Sequence, residues 1–177
     1  MKKISLLLIG SVFAMSSTTL VSCSSNKQEA SAADHAKVEQ FLQKAVATDR
    51  FELMAGMMAA DQGKKVDAYG QQLVHVHSRT SPVLESMAKQ RRVELPNEMP
   101  SEKKAIVDSL ETKEGEAFDQ TFTDAQLEVQ KETVALYEQA EKELKDQEIQ
   151  AFIDQVLPVL KQHLAEAQEL KNAVASK

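Results

Sequence analysis

Apolar side chains recur every three to four residues along most of this chain, which is the spacing of an amphipathic α-helix. The pattern predicts four long helices, over residues 34–62, 65–92, 116–145 and 147–174, and one short helix over residues 101–111. Helices that each carry one apolar face can bury those faces only against one another. The sequence therefore predicts an all-α domain.

The segment between the second and third long helices breaks the helical pattern. It contains Pro96 and Pro100, which are typical of a loop. The connections near residues 63 and 146 are short, so each pair of long helices should pack antiparallel. The passage 93–115 then joins the two hairpins. The expected fold is a ferritin-like, up-down four-helix bundle with a crossover segment that contains the short helix.

Several residues suggest where the helices end. Asp34 is a candidate N-cap of the first long helix, and Gly63 is a candidate stop signal after it. Lys89, Arg91 and Arg92 lie together at the end of the second long helix. These cations either form an anion site or complement the negative end of the helix dipole, and we favour the second interpretation.

The first 22 residues have a different character. Lys2 and Lys3 precede an apolar run over residues 4–15, and small polar residues follow that run. The run is shorter than the stretch of about 20 residues that spans a bilayer. The order of charged, apolar and small residues is typical of a secretory signal. The sequence thus predicts a signal peptide over residues 1–22.

Cys23 is the only cysteine of the chain and follows Leu20, Val21 and Ser22. This stretch resembles the lipobox of bacterial lipoproteins, which implies cleavage before Cys23 and lipidation of its thiol and new amino group. The alternative is an ordinary signal with an incidental cysteine nearby. With no second cysteine, no disulfide can form within the chain. Stable anchoring takes more than one acyl chain, and a lipoprotein cysteine carries several.

Residues 23–33 are predicted to be the lipidated cysteine and a flexible tether of small polar residues, and residues 34–177 the bundle domain. Ser24 stands where an inner-membrane retention signal usually has Asp. By resemblance to Gram-negative lipoproteins, the expected location is the outer membrane, facing the periplasm. The expected partners are the membrane, through the anchor, and an envelope protein.

The composition narrows the possible functions. The chain has 21 basic and 27 acidic residues, and two of the basic residues belong to the predicted signal. A net negative domain is a poor match for nucleic acid. The mature part also lacks a phosphate-binding loop, a nucleophile elbow and a Cys/His pair. We therefore expect no enzymatic activity and no cofactor.

Some polar residues fall on the apolar faces of the predicted helices. His77, His163 and Glu52 occupy such positions, and Asp119 shares a face with Gln130. Glu52, His77, Asp119 and His163 are thus the candidate ligands of a transition metal. The alternative, which we favour, is a network of buried hydrogen bonds. No Glu-x-x-His motif is present, which argues against a di-iron centre.

Four segments carry a resemblance to a known family: LPVLKQHL at 157–164, GEAFDQTF at 115–122, LVHVHSRTSPVLESMA at 73–88 and RVELP at 92–96. In this order they resemble the domain of unknown function 4142 family, whose members are often described as predicted outer membrane proteins. The resemblance covers about residues 35–172. It implies a ferritin-like bundle, an exported location and no established activity. It also implies that Gln130 replaces a histidine that family members usually carry.

Two functions are consistent with these features. The favoured one is a lipid-anchored envelope protein of the interaction or structural kind, without enzymatic activity. The alternative is a metal-binding, ferritin-like bundle or a metal-dependent redox or stress protein.

Overall fold

The computed structural model describes residues 22–176, with side chains from Ser31 onward. It contains the helices α1 (Ser22–Gln62), α2 (Asp67–Gln90), α3 (Ser101–Glu111), α4 (Gly115–Glu143) and α5 (Gln147–Ala175). No strand occurs in this part of the chain. The all-α prediction is confirmed, and the predicted ends of α2 to α5 lie within about two residues of the observed ends.

Helix α1 begins earlier than predicted. It starts at Ser22, so Asp34 lies inside the helix and the prediction that Asp34 caps its N-terminus is wrong. The stretch 23–33, predicted as a flexible tether, lies within this helix. Its Ala, Glu, Gln and Lys residues have high helix propensity, so a helix can form here without packing against the core. Side chains 31–37 are exposed, so this part of α1 does not contribute to the core.

The N-terminal predictions concern residues for which little is described. The signal peptide predicted for residues 1–22 lies outside the described residues, apart from Ser22. The side chain of Cys23 also lies outside them, and its lipidation stays a prediction.

Helices α1 and α2 form an antiparallel hairpin whose backbones come close together at a pair of glycines. A Cβ atom at Gly70 would lie 2.6 Å from the backbone nitrogen of Ala60 and 2.7 Å from the carbonyl oxygen of Gly56. A Cβ atom at Gly56 would lie 2.9 Å from the Cβ of Leu73. The absence of a side chain at both positions is therefore what permits this close approach.

Replacing Gly70 with alanine should destabilise the domain by about 1–3 kcal/mol, although alanine is the better helix former. The added methyl group would meet backbone atoms of α1, so the two helices would have to separate. Urea unfolding of the variant measures the loss. The matched control is Gln71→Ala at the next, exposed position of α2. If Gly70→Ala stabilised the domain as an ordinary helix substitution does, close packing at this point would be disproved.

Helices α4 and α5 form a second antiparallel hairpin with a short connection. Asp146 caps α5: its Oδ1 accepts hydrogen bonds from the backbone N–H groups of Glu148 and Ile149, both at 3.1 Å. The amide of Gln150 donates from Nε2 to the carbonyl oxygen of Leu144 at 2.7 Å, which satisfies a free carbonyl beyond the end of α4. The connection is thus fixed by its own Asp146 and by Gln150 of α5.

Arg91 joins the two hairpins at one end of the bundle. It donates from Nε and Nη2 to the two carboxylate oxygens of Asp146, at 2.8 and 2.7 Å, and from Nη2 to Glu148 at 2.9 Å. The hydrogen bonds to Asp146 raise the pKa of Arg91, and the same contact lowers the pKa of Asp146. Arg91, which follows α2, therefore links the α1–α2 hairpin to the α4–α5 hairpin through its ion pairs with Asp146 and Glu148.

The segment 91–114 runs from one end of the bundle to the other. Near its start, Gln43 Nε2 of α1 donates to the carbonyl oxygen of Glu94 at 2.9 Å. At its end, Gly115 lies beside Lys64, which follows the opposite end of α1. Helices α2 and α4 therefore run in the same direction, and α3 lies on the connection between them.

The buried apolar side chains form two clusters, to which all four long helices contribute. The first apolar cluster includes Phe41, Leu42, Leu84, Tyr137, Ile153 and Leu160. The second apolar cluster includes Phe51, Leu73, Leu110, Phe118 and Phe122. Helix α3 contributes only to the second cluster, through Val107 and Leu110. Within residues 22–176, the helices lack the apolar length that crossing a membrane requires.

Candidate functional site

Buried polar side chains lie where the two apolar clusters meet. We call them the polar layer, which consists of Asp49, Glu52, His77, Gln126, Gln130 and His163. Each of these side chains is at most 4% exposed, and each of the four long helices contributes at least one of them. Burial of such groups costs free energy unless they find partners. Their partners therefore determine what the layer can do.

The best-satisfied group of the layer is the carboxylate of Asp49. The His77 ring donates from Nδ1 to Asp49 Oδ1 at 2.7 Å. The hydroxyl of Thr80 donates to the same oxygen at 2.6 Å, and the hydroxyl of Ser81 donates to Oδ2. Three donors from α2 thus converge on one carboxylate of α1. This arrangement fixes the orientation of the His77 ring and keeps a proton on its Nδ1.

The pKa of His77 results from opposing effects. Burial alone lowers it, because the charged ring loses its hydration. The hydrogen bond to Asp49 and the nearby charges of Glu52 and Asp49 outweigh burial, so the pKa of His77 lies above its ordinary value. The contact with Asp49 therefore favours the charged form of the His77 ring.

Glu52 is a fully buried acid on α1. Its Oε1 accepts a hydrogen bond from Gln130 Nε2 at 3.2 Å, and its Oε2 has no partner among the described residues. Burial raises the pKa of Glu52, while the charges of His77 and, more weakly, Lys103 partly oppose that shift. Burial thus favours the protonated form of Glu52 and the charge of His77 favours the ionised form, with burial the larger of the two effects.

His163 is the contribution of α5 to the layer. The hydroxyl of Tyr69 donates to the backbone carbonyl oxygen of His163 at 3.0 Å, and the Tyr69 ring meets the imidazole edge-on at 5.9 Å between centroids. The ring centroid of His77 is 6.2 Å away. Burial, with a smaller contribution from His77, lowers the pKa of His163 to about 4. The neutral form of the His163 imidazole is therefore favoured, whereas the contact with Asp49 favours the charged form of His77.

Asp119, the fourth predicted metal ligand, lies elsewhere. Its two carboxylate oxygens accept hydrogen bonds from the backbone N–H groups of Lys64 and Lys65, at 3.1 and 3.0 Å. Asp119 and Gln130 do share a side of α4, but eleven residues of helix separate them by about 16 Å. Asp119 thus fixes the connection between α1 and α2 and does not join the polar layer.

The structure brings together three of the four predicted ligands, namely Glu52, His77 and His163. In the described part of the chain, however, no group of three or more His, Cys, Asp or Glu side chains is arranged to hold a metal ion. A transition metal bound by these three residues would require their side chains to move. Metal binding therefore stays a prediction that the observed side-chain positions do not support.

Several polar atoms of the layer make no hydrogen bond within the described residues: Glu52 Oε2, His77 Nε2, Gln126 Nε2, Gln130 Oε1 and His163 Nδ1. They include both donors and acceptors on neighbouring helices. Each adds a cost to the folded state that apolar residues of similar size would avoid. The layer is thus a polar network that is only partly satisfied, at the centre of an otherwise apolar core.

Asp49, Gln126 and Tyr69 were not among the site residues predicted from the sequence. A signal for Asp49 does exist: it lies seven residues after Leu42 and four after Ala45, which places it on the buried face of α1. A carboxylate at such a position indicates a buried partner, because Asp is almost never fully buried unless it is paired. Gln126 lies four residues before Gln130, so the same argument could have identified it.

Comparison with known proteins gives one match. A family model described as a domain of unknown function, DUF4142, matches residues 23–170. No curated protein and no solved structure matches the chain. The matched range begins at Cys23 and includes the whole polar layer.

Proposed function

Because the chain belongs to the DUF4142 family of domains of unknown function, its role has to be argued from its own residues, and we propose that it is a lipid-anchored helical bundle of the bacterial envelope. In this proposal it has no enzymatic activity and acts as an interaction or structural protein. Its membrane attachment is through Cys23, and its partner is another envelope protein.

The observation that carries the proposal is the position of the Leu20-Val21-Ser22-Cys23 stretch. It ends a charged, apolar and small-residue sequence of the secretory kind. The range that matches the family begins at this cysteine, and the described helical domain begins at Ser22. A lipidated Cys23 would therefore attach the bundle to the membrane through the exposed N-terminal part of α1.

The finer features of the fold and location belong to the same proposal. The parallel course of α2 and α4, joined by a segment that spans the bundle, supports a ferritin-like arrangement. Ser24, in place of an inner-membrane retention residue, supports the outer membrane with the domain facing the periplasm. The net charge of −6 supports a protein partner over nucleic acid.

Replacing Cys23 with alanine should abolish membrane attachment. Without its acyl chains the domain has no anchor, so it should move from the membrane fraction to the soluble fraction of a Gram-negative host. Labelling with radioactive palmitate and fractionation of the cells measure both effects. Ser24→Ala is the matched control, and it should keep the label and the membrane location. If Cys23→Ala stayed in the membrane fraction as the parent does, the proposed anchor would be disproved.

Metal binding is the alternative that a second measurement separates from this proposal. Thermal unfolding of the metal-stripped protein would be repeated with Fe(II), Zn(II), Mn(II) and Cu(I) under anaerobic conditions. A metal present at 100 times its dissociation constant would stabilise the fold by about 2.7 kcal/mol. The proposal expects no such stabilisation by any of the four ions. A clear rise that His163→Ala removes would favour the metal-binding function.

A further inference from the structure

A groove on the surface of the bundle lies between α1 and α4, at the point where α3 begins. Its volume is about 440 Å³, which is in the range of pockets that bind small organic ligands. Apolar side chains line part of it, namely Ala47, Pro100 and Leu136, and polar side chains line the rest. We call this site the α3 groove.

Lys103 of α3 lines the groove and carries a charge that is largely withdrawn from solvent. Its side chain is 14% exposed, and its Nζ lies 5.2 Å from the centroid of the fully buried Phe51 ring. It forms an ion pair with Glu132 at 3.8 Å, and the Glu132 side chain is 73% exposed. A solvated carboxylate at this distance compensates a buried ammonium group only weakly. The charge of Lys103 is therefore available to a second anion.

Two further donors at the groove belong to α1. Lys44 is exposed and takes part in none of the ion pairs formed within residues 31–176. Thr48 is only 8% exposed. The buried Thr133 donates its hydroxyl to the carbonyl oxygen of Val129, but the Thr48 hydroxyl makes no hydrogen bond with any described residue. This hydroxyl is not sealed in the core either, so it opens onto the groove that Thr48 lines.

The start of α3 adds positive charge to the same place. No side chain caps this helix, and its first backbone hydrogen bond runs from Lys104 to the carbonyl oxygen of Pro100 at 2.9 Å. The preceding N–H groups thus have no partner within the helix, which gives its start a charge of about +0.5. Together with Lys44 and Lys103, and after allowance for Glu132, the groove carries a charge of about +1.5.

We propose that the α3 groove binds a phosphate monoester that carries a short apolar group. The charge of such an ester is about −1.5 to −2 at neutral pH, which matches the charge of the groove, whereas a carboxylate would neutralise only part of it. Phosphate oxygens accept hydrogen bonds from Lys44, Lys103 and the Thr48 hydroxyl, beside the start of α3. The apolar group covers Ala47 and Leu136. Soluble phosphate monoesters and the headgroup of phosphatidic acid share this chemistry.

Isothermal titration calorimetry of the full chain in a non-ionic detergent tests the proposal, with butyl phosphate as the probe. Saturable binding at one site per chain is expected. Inorganic phosphate should bind about tenfold more weakly, because it leaves the apolar part of the groove uncovered. Phosphatidic acid in mixed micelles, compared with phosphatidylcholine, identifies the source of the ester. Binding of butyl phosphate alone would assign the site to soluble esters, and binding of phosphatidic acid would assign it to a lipid headgroup.

Substitutions in the groove should change the affinity for butyl phosphate in opposite directions. Lys44→Gln and Thr48→Val should each weaken binding by about tenfold, because each removes a hydrogen bond to a charged group. Glu132→Gln should strengthen binding by about two- to fivefold, because it removes the competing carboxylate. A variant that only disturbed the fold would not bind more tightly. The matched control is Lys131→Gln, since Lys131 is an exposed lysine of α4 that pairs with Glu128 outside the groove.

Any of three results would overturn the proposal. The first is that neither butyl phosphate nor phosphatidic acid binds saturably. The second is an affinity in Lys44→Gln equal to that of the parent, and the third is weaker binding in Glu132→Gln. Equal affinities for inorganic phosphate and butyl phosphate would disprove the apolar part of the site. If Thr48→Val does not fold, the two exposed positions Lys44 and Glu132 still decide the question.

Discussion

Replacing Asp49 with alanine should destabilise the bundle by about 3–5 kcal/mol, the range expected when one partner of a buried ion pair is removed. Asp49 is 4% exposed and accepts hydrogen bonds from His77, Thr80 and Ser81. Without its carboxylate, these donors on α2 would lose their partner, and a charged His77 would lose its main compensation. Urea unfolding at neutral pH measures the loss in free energy of unfolding. The dependence of that free energy on urea concentration should be the same in the variant and the parent.

The variant Asp49→Asn separates the charge from the hydrogen bonds. It keeps the size of the side chain and an acceptor oxygen but removes the negative charge. The loss in free energy of unfolding should therefore be smaller than in Asp49→Ala, and the pKa of His77 should fall. The stabilisation by the charged pair is complete below pH 6.5 and is lost as the pH rises through the raised pKa of His77. The difference between the parent and Asp49→Asn should therefore shrink in alkaline solution.

The matched control is Asp61→Ala, an exposed aspartate on the same helix. That change should alter the free energy of unfolding by less than about 0.5 kcal/mol. If Asp49→Ala were equally harmless, the hydrogen bonds of Asp49 would make no net contribution, and the polar layer would have to be held by Glu52 and Gln130. A difference between Asp49→Asn and the parent that did not depend on pH would contradict a charged His77.

The helices could be predicted because local information determines them. The period of the apolar residues marks the buried face of each helix, and short connections at Gly63 and Asp146 define the hairpins. The same period correctly placed Glu52, His77 and His163 inside the core. The start of α1 was not predictable from this pattern, because the exposed stretch 31–37 has no apolar face and its helix depends on propensity alone.

The arrangement of the polar layer could not be read from periodicity, because a helical face says where a side chain points and not which partner it meets. Asp119 shows this limit. It lies on the buried side of α4, as expected for a ligand of the core, yet its carboxylate binds the backbone of Lys64 and Lys65. Asp49 was not predicted as a site residue, yet His77 of α2 meets its carboxylate. That contact depends on the register between α1 and α2, whose backbones come close together at Gly56 and Gly70.

Replacing Phe122 with alanine should destabilise the bundle by about 3–5 kcal/mol, because it removes a large side chain from the second apolar cluster. Phe122 is fully buried, stacks on Phe118 at 5.9 Å between ring centroids and meets Tyr69 edge-on at 6.2 Å. Tyr69 in turn contacts His163. The cavity should therefore weaken the support of the polar layer as well as the apolar contacts. The shift of the urea midpoint measures the effect, and Val83→Ala, at an exposed position of α2, is the control.

The two apolar clusters allow a further test of this prediction. Ile153→Val in the first apolar cluster should cost about 0.5–1.5 kcal/mol. The double variant with Phe122→Ala should lose the sum of the two values within about 0.5 kcal/mol, in one unfolding transition, since the clusters share helices but not direct partners. Two separate transitions would mean that the polar layer divides the bundle into independently unfolding halves. A loss below about 1 kcal/mol in Phe122→Ala would contradict the packing of the second cluster itself.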